Sequence, residues 1–179
     1  MPQSLRYRLL VTLDGVEPPI ARELDVPGNV SLAGLHTILQ IAMGWQDYHM
    51  HSFEAMEKSF GAPDPELNTV DERGVQLLTV APSTGSLVTY EYDFGDSWRH
   101  LIEVVAITPG DPGPPICLAG SRSCPPEDCG GPYGYQDLLA ALADPSHPEH
   151  AELSTWAGPF DPEHFDLTAV NRGLSRLRP

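Results

Sequence analysis

Residues 87–107 read LVTYEYDFGDSWRHLIEVVAI, and this stretch decides the fold. Apolar and polar residues alternate over 87–94, which is typical of a strand with one buried face. Gly95-Asp96-Ser97 has the composition of a tight turn, and residues 98–107 are expected to run back as the partner strand. The stretch therefore predicts a central β-hairpin.

An N-terminal ββα unit is predicted before this hairpin. Residues 5–13 and 18–26 form two apolar-rich segments separated by an Asp-Gly turn signal, and two prolines in the second favour an edge position or a bulge. Ser31 is a good helix N-cap, and Gly44 stands where a helix ends. His36 lies on this helix and is expected at its surface or boundary.

A long loop and a helical segment are predicted after the hairpin. Residues 111–132 are rich in Pro and Gly and carry all three cysteines; a connection of this length needs something to hold it in place. Helical patterns follow at 136–143, 148–156 and 167–177, the last with Asp166 as N-cap.

These segments predict an α+β fold with an antiparallel β-sheet. We expect a single domain over 1–179. It would comprise a sheet-forming part with one main helix (1–110), a Pro/Gly/Cys loop (111–132) and C-terminal helices (133–179).

Charge and composition limit the classes of partner. The chain of 179 residues has 25 acidic and 10 basic residues and a formal net charge of −15, which disfavours binding to nucleic acid phosphates. The basic C-terminal tip, Arg172, Arg176 and Arg178, is explained by the helix dipole and solubility. No signal peptide or membrane-spanning run is visible, and three cysteines is an odd count. A cytoplasmic location without a membrane partner is expected.

The candidate binding residues are aromatic, acidic and imidazole side chains that cluster in and before the hairpin: His49, His51, Asp93, Asp96, Trp98 and His100. His49 and His51 share one face if residues 48–53 form a strand. Glu127 and Asp128 add a second carboxylate pair in the cysteine loop. We expect the hairpin and this loop to fold together around one cleft.

No catalytic residues can be assigned, since nucleophile-elbow, zinc-protease, Walker and dinucleotide-binding patterns are missing from the sequence. Asp93 and Asp96 also suit a tight turn without any chemistry.

A structural zinc site is one interpretation of the cysteines. Cys117, Cys124 and Cys129 have the spacing C-x6-C-x4-C, looser than that of most zinc ligands. A tetrahedral metal would supply the cross-link that this loop needs, with His100 or His51 as fourth ligand. The alternative is three reduced thiols packed as small apolar groups.

Long motifs give the chain a family resemblance. They include Ala42-Met43-Gly44-Trp45, the hairpin sequence from Tyr90 to His100, and the run from Cys124 through Gly131. Together they resemble the plasmid pRiA4b ORF-3-like (open-reading-frame-three-like) family over nearly the whole chain. The resemblance implies an α+β fold with an antiparallel sheet and no established activity, and it associates some members with plasmids and insertion elements.

Two departures from the family pattern stand out. Ala21-Arg22-Glu23 replaces a tryptophan and paired arginines, and Ser97 stands where glycine is common. No segment resembles the catalytic segment of a serine recombinase, so we do not adopt the resolvase label given to some members.

The leading functional hypothesis is a binding or interaction module, with residues 93–129 as its recognition surface for an unknown protein or small ligand. One alternative is a metal-dependent hydrolase using His49, His51, Asp93, Asp96 and His100. The other is a nucleic-acid accessory factor of mobile elements.

Overall fold

The computed structural model describes residues 4–64, 69–110 and 113–177 and has a mixed α+β fold. The strands are β1 (Leu5–Leu13), β2 (Ala21–Pro27), β3 (His51–Ala55), β4 (Lys58–Gly61), β5 (Val70–Asp71), β6 (Leu87–Tyr92), β7 (Trp98–Pro109) and β8 (Ile116–Ser121). The α-helices are α1 (Leu32–Met43), α2 (Leu77–Val80), α3 (Gly131–Ala143), α4 (His150–Ala157) and α5 (Leu167–Leu174).

These strands form one sheet in the order β5-β4-β3-β6-β7-β1-β2-β8. Each neighbouring pair is antiparallel except β4 and β5, which are parallel. The predicted fold class, with its ββα unit, hairpin and C-terminal helices, is confirmed. Within the described ranges, no helix has the length and apolar character needed to cross a membrane.

The β6–β7 hairpin forms the middle of the sheet. Tyr92 pairs with Trp98 and Tyr90 with His100, and all four side chains are fully buried on one face. The prediction that extended the strand to Phe94 is wrong, because β6 ends at Tyr92. Phe94 lies in the turn and is 48% exposed.

The N-terminal unit follows its sequence signals closely. The Ser31 hydroxyl accepts a hydrogen bond from the Gly34 amide at 3.1 Å, and Gly44 ends α1 with a left-handed φ of 93°. Strand β2 is not at the edge of the sheet, because β8 pairs with its outer side. Pro18 and Pro19, which suggested a bulge, precede β2; the register shift between Glu23 and Leu24 in the β2–β8 pairing instead has Leu118 of β8 as its extra residue.

Arg22 connects three segments: the end of α1, strand β2 and the end of β8. Its guanidinium, 2% exposed, donates to the carbonyls of Ala42 at the end of α1, Ala21 in β2, and Ser121 and Arg122 at the end of β8. The group also lies 4.2 Å from the ring centroid of Phe165. Arg22 therefore has a structural position, unlike the exposed arginines of a nucleic-acid-binding strand.

The prediction of a continuous loop over 111–132 is wrong in part, because β8 occupies its middle. This strand depends on pairing with β2, about a hundred residues earlier, and not on any local pattern. Asn171 of α5 completes its outer edge, since its side chain accepts from the Cys117 amide at 2.8 Å and donates to the Cys117 carbonyl at 2.9 Å.

The C-terminal helices differ slightly from their predicted bounds. Helix α3 begins at Gly131, earlier than the predicted residue 136, and α5 ends at Leu174. Asp166 caps α5 as predicted, accepting from the Ala169 amide at 2.8 Å. Arg178 of the predicted basic tip lies outside the described residues.

Candidate functional site

The hairpin turn and the cysteine-bearing segment meet, as predicted. The Gly130 amide donates to the Asp96 carboxylate at 3.0 Å, and the Trp45 indole donates to the Pro125 carbonyl at 3.0 Å. Tyr92 donates to Glu127 at 3.2 Å. These contacts join the end of α1, the hairpin turn and residues 124–130 into one surface.

Asp93 shapes the turn and presents one carboxylate oxygen. Its φ is 58°, in the left-handed region, and its Oδ1 accepts from the Gly95 amide at 3.0 Å. Its own amide donates to the Met50 carbonyl at 2.9 Å. The turn interpretation of Asp93 is therefore correct, but Oδ2 remains directed towards His49, 3.6 Å from Nε2.

His49 lies among three carboxylates. Its Nε2 is 3.6 Å from Asp93 Oδ2, 3.8 Å from Glu127 Oε2 and 3.1 Å from Asp128 Oδ1. The nitrogen is shielded from solvent, yet none of these contacts has hydrogen-bond geometry, so Nε2 has no hydrogen-bond partner among the described residues. We call His49, Asp93, Glu127 and Asp128 the His49 cluster.

Two neighbours fix the Glu127 carboxylate. Besides the Tyr92 hydroxyl, the Gln46 amide donates to Oε1 at 2.9 Å. Burial, with the negative charge of Glu127 as a smaller cause, raises the pKa of Tyr92 to about 12. Tyr92 therefore keeps its proton at neutral pH and remains a donor to Glu127.

A second histidine cluster includes His36, which was expected at the surface or boundary of its helix. His36 is buried, and its ring stacks on that of His51 with centroids 3.5 Å apart and an interplanar angle of 3°. His36 Nε2 is 3.0 Å from Asp47, and His51 Nε2 is 3.0 Å from Glu72. We call these four residues the stacked-histidine cluster.

Burial favours the neutral form of His36. It lowers the pKa of this imidazole, and the neighbouring His51 lowers it further. Gln40 donates to the Tyr90 hydroxyl at 3.0 Å, which leaves the hydroxyl proton for His36 Nδ1 at 2.8 Å. The neutral ring can then donate from Nε2 to Asp47, so the hydrogen bonds of His36 are complete.

Trp98 and His100 are placed differently from the prediction. Both are fully buried, since residues 98, 100 and 102 of β7 all point into the core, and neither reaches the surface. Full burial lowers the pKa of His100 to about 4, so it is neutral at pH 7. Because successive residues of a strand point to opposite faces, His100 shares the buried face of Trp98 and Ile102 although its side chain is polar.

The four residues predicted to bind zinc do not form a compact ligand set. Among the described residues, three or more potential ligand atoms lie within 4.8 Å of one another in two groups: His36 with Asp47 and His51, and His49 with Asp93 and Asp128. Neither contains a cysteine. Cys117 on β8 and His100 on β7 are both buried, and the Cys117 thiol donates to the Ala119 carbonyl.

The thiols are protonated in this arrangement. Burial raises the pKa of Cys117 and Cys124, with a partial opposing effect of the nearby Arg22 guanidinium, and it raises that of Cys129 to about 12. Cys124 also lines a cleft of about 320 Å³ together with Trp45 and Glu127. This cleft is lined by the end of α1 and by residues 124–127 and 157–160, without a residue of the hairpin, so it is not the cleft that was predicted between the hairpin and the cysteine loop.

Of the predicted binding residues, His49 and Asp93 come together directly, with Glu127 and Asp128. Asp96 joins them through the Gly130 amide, and His51 belongs to the stacked-histidine cluster. Sequence reasoning missed Asp47 and Glu72 as partners of histidines. No spacing pattern could reveal Glu72, which lies 21 residues after His51.

Large apolar side chains adjoin the His49 cluster in the chain. Tyr48 and Met50 flank His49 and are 68% and 64% exposed, whereas Phe94 follows Asp93 and is 48% exposed. Tyr133, 84% exposed, lies in the first turn of α3, which packs against the hairpin turn. We call these four side chains the apolar rim.

Comparison with known proteins gives a consistent family and fold. A family model described as plasmid pRiA4b ORF-3-like protein matches residues 6–169. The uncharacterized protein y4hQ of Sinorhizobium fredii (strain NBRC 101917 / NGR234) is 44% identical over 169 residues, covering 92% of this chain and 85% of the relative. The crystal structure of a protein of unknown function from Methanosarcina mazei Go1 matches with a TM-score of 0.85 and 35% identity, covering 92% of this chain and 97% of that one.

Proposed function

The chain belongs to the plasmid pRiA4b ORF-3-like family, and we propose that it is an intracellular binding module for a protein partner. The recognition surface comprises the hairpin turn, residues 124–128 of the cysteine-bearing segment, and the apolar rim. The observation that carries this proposal is the joining of these segments around the His49 cluster.

The composition of the surface supports a protein partner. Aromatic residues and Met are enriched at protein interfaces, and grouped exposed apolar side chains mark interaction sites more often than single ones do. Tyr48, Met50 and Phe94 are exposed side chains next in the chain to His49 or Asp93, and Tyr133 is exposed in the helix that packs against the hairpin turn. Since the chain carries a formal charge of −15, the contact face of the partner is expected to be neutral or basic.

The alternatives have weaker support. A hydrolase using His49, His51, Asp93, Asp96 and His100 requires convergent ligands, but His51 packs against His36 and His100 is enclosed in the core. A nucleic-acid accessory role conflicts with the net charge.

Selection of peptides from a random display library would test this proposal. Peptides would be selected on the wild-type protein and counter-selected on a Phe94→Ser/Tyr133→Ser variant, and their affinities measured by fluorescence anisotropy. Loss of one or two apolar anchors should weaken binding about tenfold or more. Leu87→Ser is the matched control, because Leu87 is 54% exposed but lies at the other end of β6.

The proposal is wrong if no peptide survives counter-selection, or if the surviving peptides bind the double variant as tightly as the wild type. It is also wrong if Leu87→Ser weakens binding as much as the rim substitutions do.

A further inference from the structure

We propose that the His49 cluster binds one divalent transition-metal ion, with His49 Nε2 and carboxylate oxygens of Asp93 and Asp128 as ligands and Glu127 as a fourth donor. This inference rests on the proposed function only for the role of the ion in partner capture. The binding of the metal itself can be tested separately.

The first argument is distance. The candidate ligand atoms of His49, Asp93 and Asp128 all lie within 4.8 Å of one another. Ligand atoms about 2.0–2.2 Å from a metal are about 3–3.5 Å apart, so side-chain movements of about 1 Å would complete the coordination. Imidazole nitrogen with carboxylate oxygen suits Zn²⁺ and similar ions better than Ca²⁺, which prefers oxygen alone.

The second argument is the unpaired nitrogen. His49 Nε2 is shielded from water and lacks a hydrogen bond although three carboxylates face it. A buried polar atom normally has a partner. A metal ion between the nitrogen and the carboxylates would satisfy all of these groups at once.

The third argument is charge. The side chains of Asp93 and Glu127 are only 10% and 13% exposed, so their formal charges are poorly screened by water. Within the described part of the chain, no arginine or lysine forms an ion pair with Asp93, Glu127 or Asp128. Carboxylates that share a site without a cation repel one another.

The surroundings already orient the proposed ligands. The Gly95 amide holds Asp93 Oδ1 and leaves Oδ2 towards His49, whereas Tyr92 and Gln46 hold Glu127. Outer hydrogen bonds of this kind fix ligand geometry in metal sites. Asp128 is 69% exposed, which leaves one side of the site open to solvent.

The stacked-histidine cluster needs no metal to satisfy His36 or to give His51 a partner. His36 bonds to Tyr90 and Asp47, and His51 Nε2 contacts both oxygens of Glu72. This cluster therefore supplies the matched control for the metal experiment.

The ion would also explain how the apolar rim can be covered. A partner lying over the rim removes water from nearby carboxylates, which is costly for uncompensated charges. A divalent ion reduces that cost. Capture of a neutral partner through the rim should then depend on the metal.

Titration of chelator-treated protein with ZnCl₂ by calorimetry tests the site. We expect a stoichiometry of one, and a 10- to 100-fold or larger loss of affinity in His49→Gln and in Asp128→Asn. His51→Gln, in the stacked-histidine cluster, should bind as the wild type does. Circular dichroism of each variant checks that it is folded, and Co²⁺ spectra of the wild type should indicate nitrogen and oxygen ligands without thiolate charge-transfer bands.

Three outcomes overturn the inference: absence of zinc binding, unchanged binding in His49→Gln and Asp128→Asn, or loss of binding in Cys124→Ser but not in His49→Gln. The selected peptides separate this failure from failure of the proposed function. If they bind without zinc through a lysine or arginine that requires Asp128, the partner supplies the cation, and the function stands without the metal. If zinc binds as expected but the rim variants bind peptides normally, the metal site stands and the proposed function fails.

Discussion

Replacement of Arg22 tests how the sheet, α1 and the end of β8 are held together. Arg22→Met keeps the apolar stem but removes a guanidinium that donates to four backbone carbonyls. These carbonyls belong to the backbone and remain in place, so they lose this donor in a region that water hardly reaches. Arg22→Met thus differs from replacing both members of a buried pair by apolar groups, which is often harmless.

The expected cost is about 3–5 kcal/mol, because a buried carbonyl left without its donor costs about 1–3 kcal/mol and four lose theirs, while removal of the buried charge returns part of this sum. For a chain of this size that corresponds to a fall in Tm of about 6–20 °C. Arg22→Lys keeps the charge but places its donors on one nitrogen, which cannot reach all four carbonyls. We expect it to lose about half as much stability.

Urea unfolding followed by circular dichroism would measure both variants. Arg8→Met is the control, since Arg8 on β1 is half exposed and pairs with Glu23 only at 3.6 Å; it should cost less than about 1 kcal/mol. If Arg22→Met unfolds within about 1 kcal/mol of the wild type, the desolvation of the guanidinium cancels its hydrogen bonds, and our account of this contact is wrong.

Two further predictions concern the hairpin and the core. Gly131→Ala would place a Cβ 2.5 Å from the Asp96 carbonyl oxygen at a φ of 68°, so it should lower the free energy of unfolding by about 2–3 kcal/mol. Gly130→Ala, which has a left-handed φ but no clash, should lower it by about 1 kcal/mol. Equal losses in urea melts of the two variants would contradict this prediction. Burial lowers the pKa of His100 from 6.5 to about 4, so the unfolded chain takes up a proton before the native chain does. Stability should therefore fall by roughly 3 kcal/mol as the pH falls through this window. Urea midpoints at pH 7 to 4.5 should show a smaller decline in His100→Gln, and an unchanged decline would exclude His100 as its source.

Local sequence signals were sufficient for much of the fold. The alternating residues of β6, the turn at 95–97 and the Ser31 and Gly44 caps of α1 act within a few residues, so they can be recognised without knowing the rest of the chain. Strand β8 gave no such signal. It is short and lies between Pro/Gly-rich segments, and its pairing partners lie about a hundred residues away in β2.

The site was predictable only in part, for the same reason. His49 and Asp93 were found because histidines and acids are dense there, but their approach to Asp128 depends on how residues 122–130 fold back. His36 was misjudged because helical position alone does not reveal that the His51 ring stacks on it and that the Tyr90 hydroxyl bonds to it. The inward position of His100 follows from the strand period of two once Trp98 and Ile102 are placed in the core, but residue type alone argued against it, since His100 is polar and the exposed Leu101 is apolar.

The side chain of Asn171 has a consequence for self-association. Exposed sheet edges can recruit strands from other molecules and so start fibres. By bonding to the amide and carbonyl of Cys117, the Asn171 side chain takes the place of a neighbouring strand there and hinders the addition of a strand from another molecule. The opposite border, β5, has only two residues, so both ends of the sheet are poor templates for growth into a polymer.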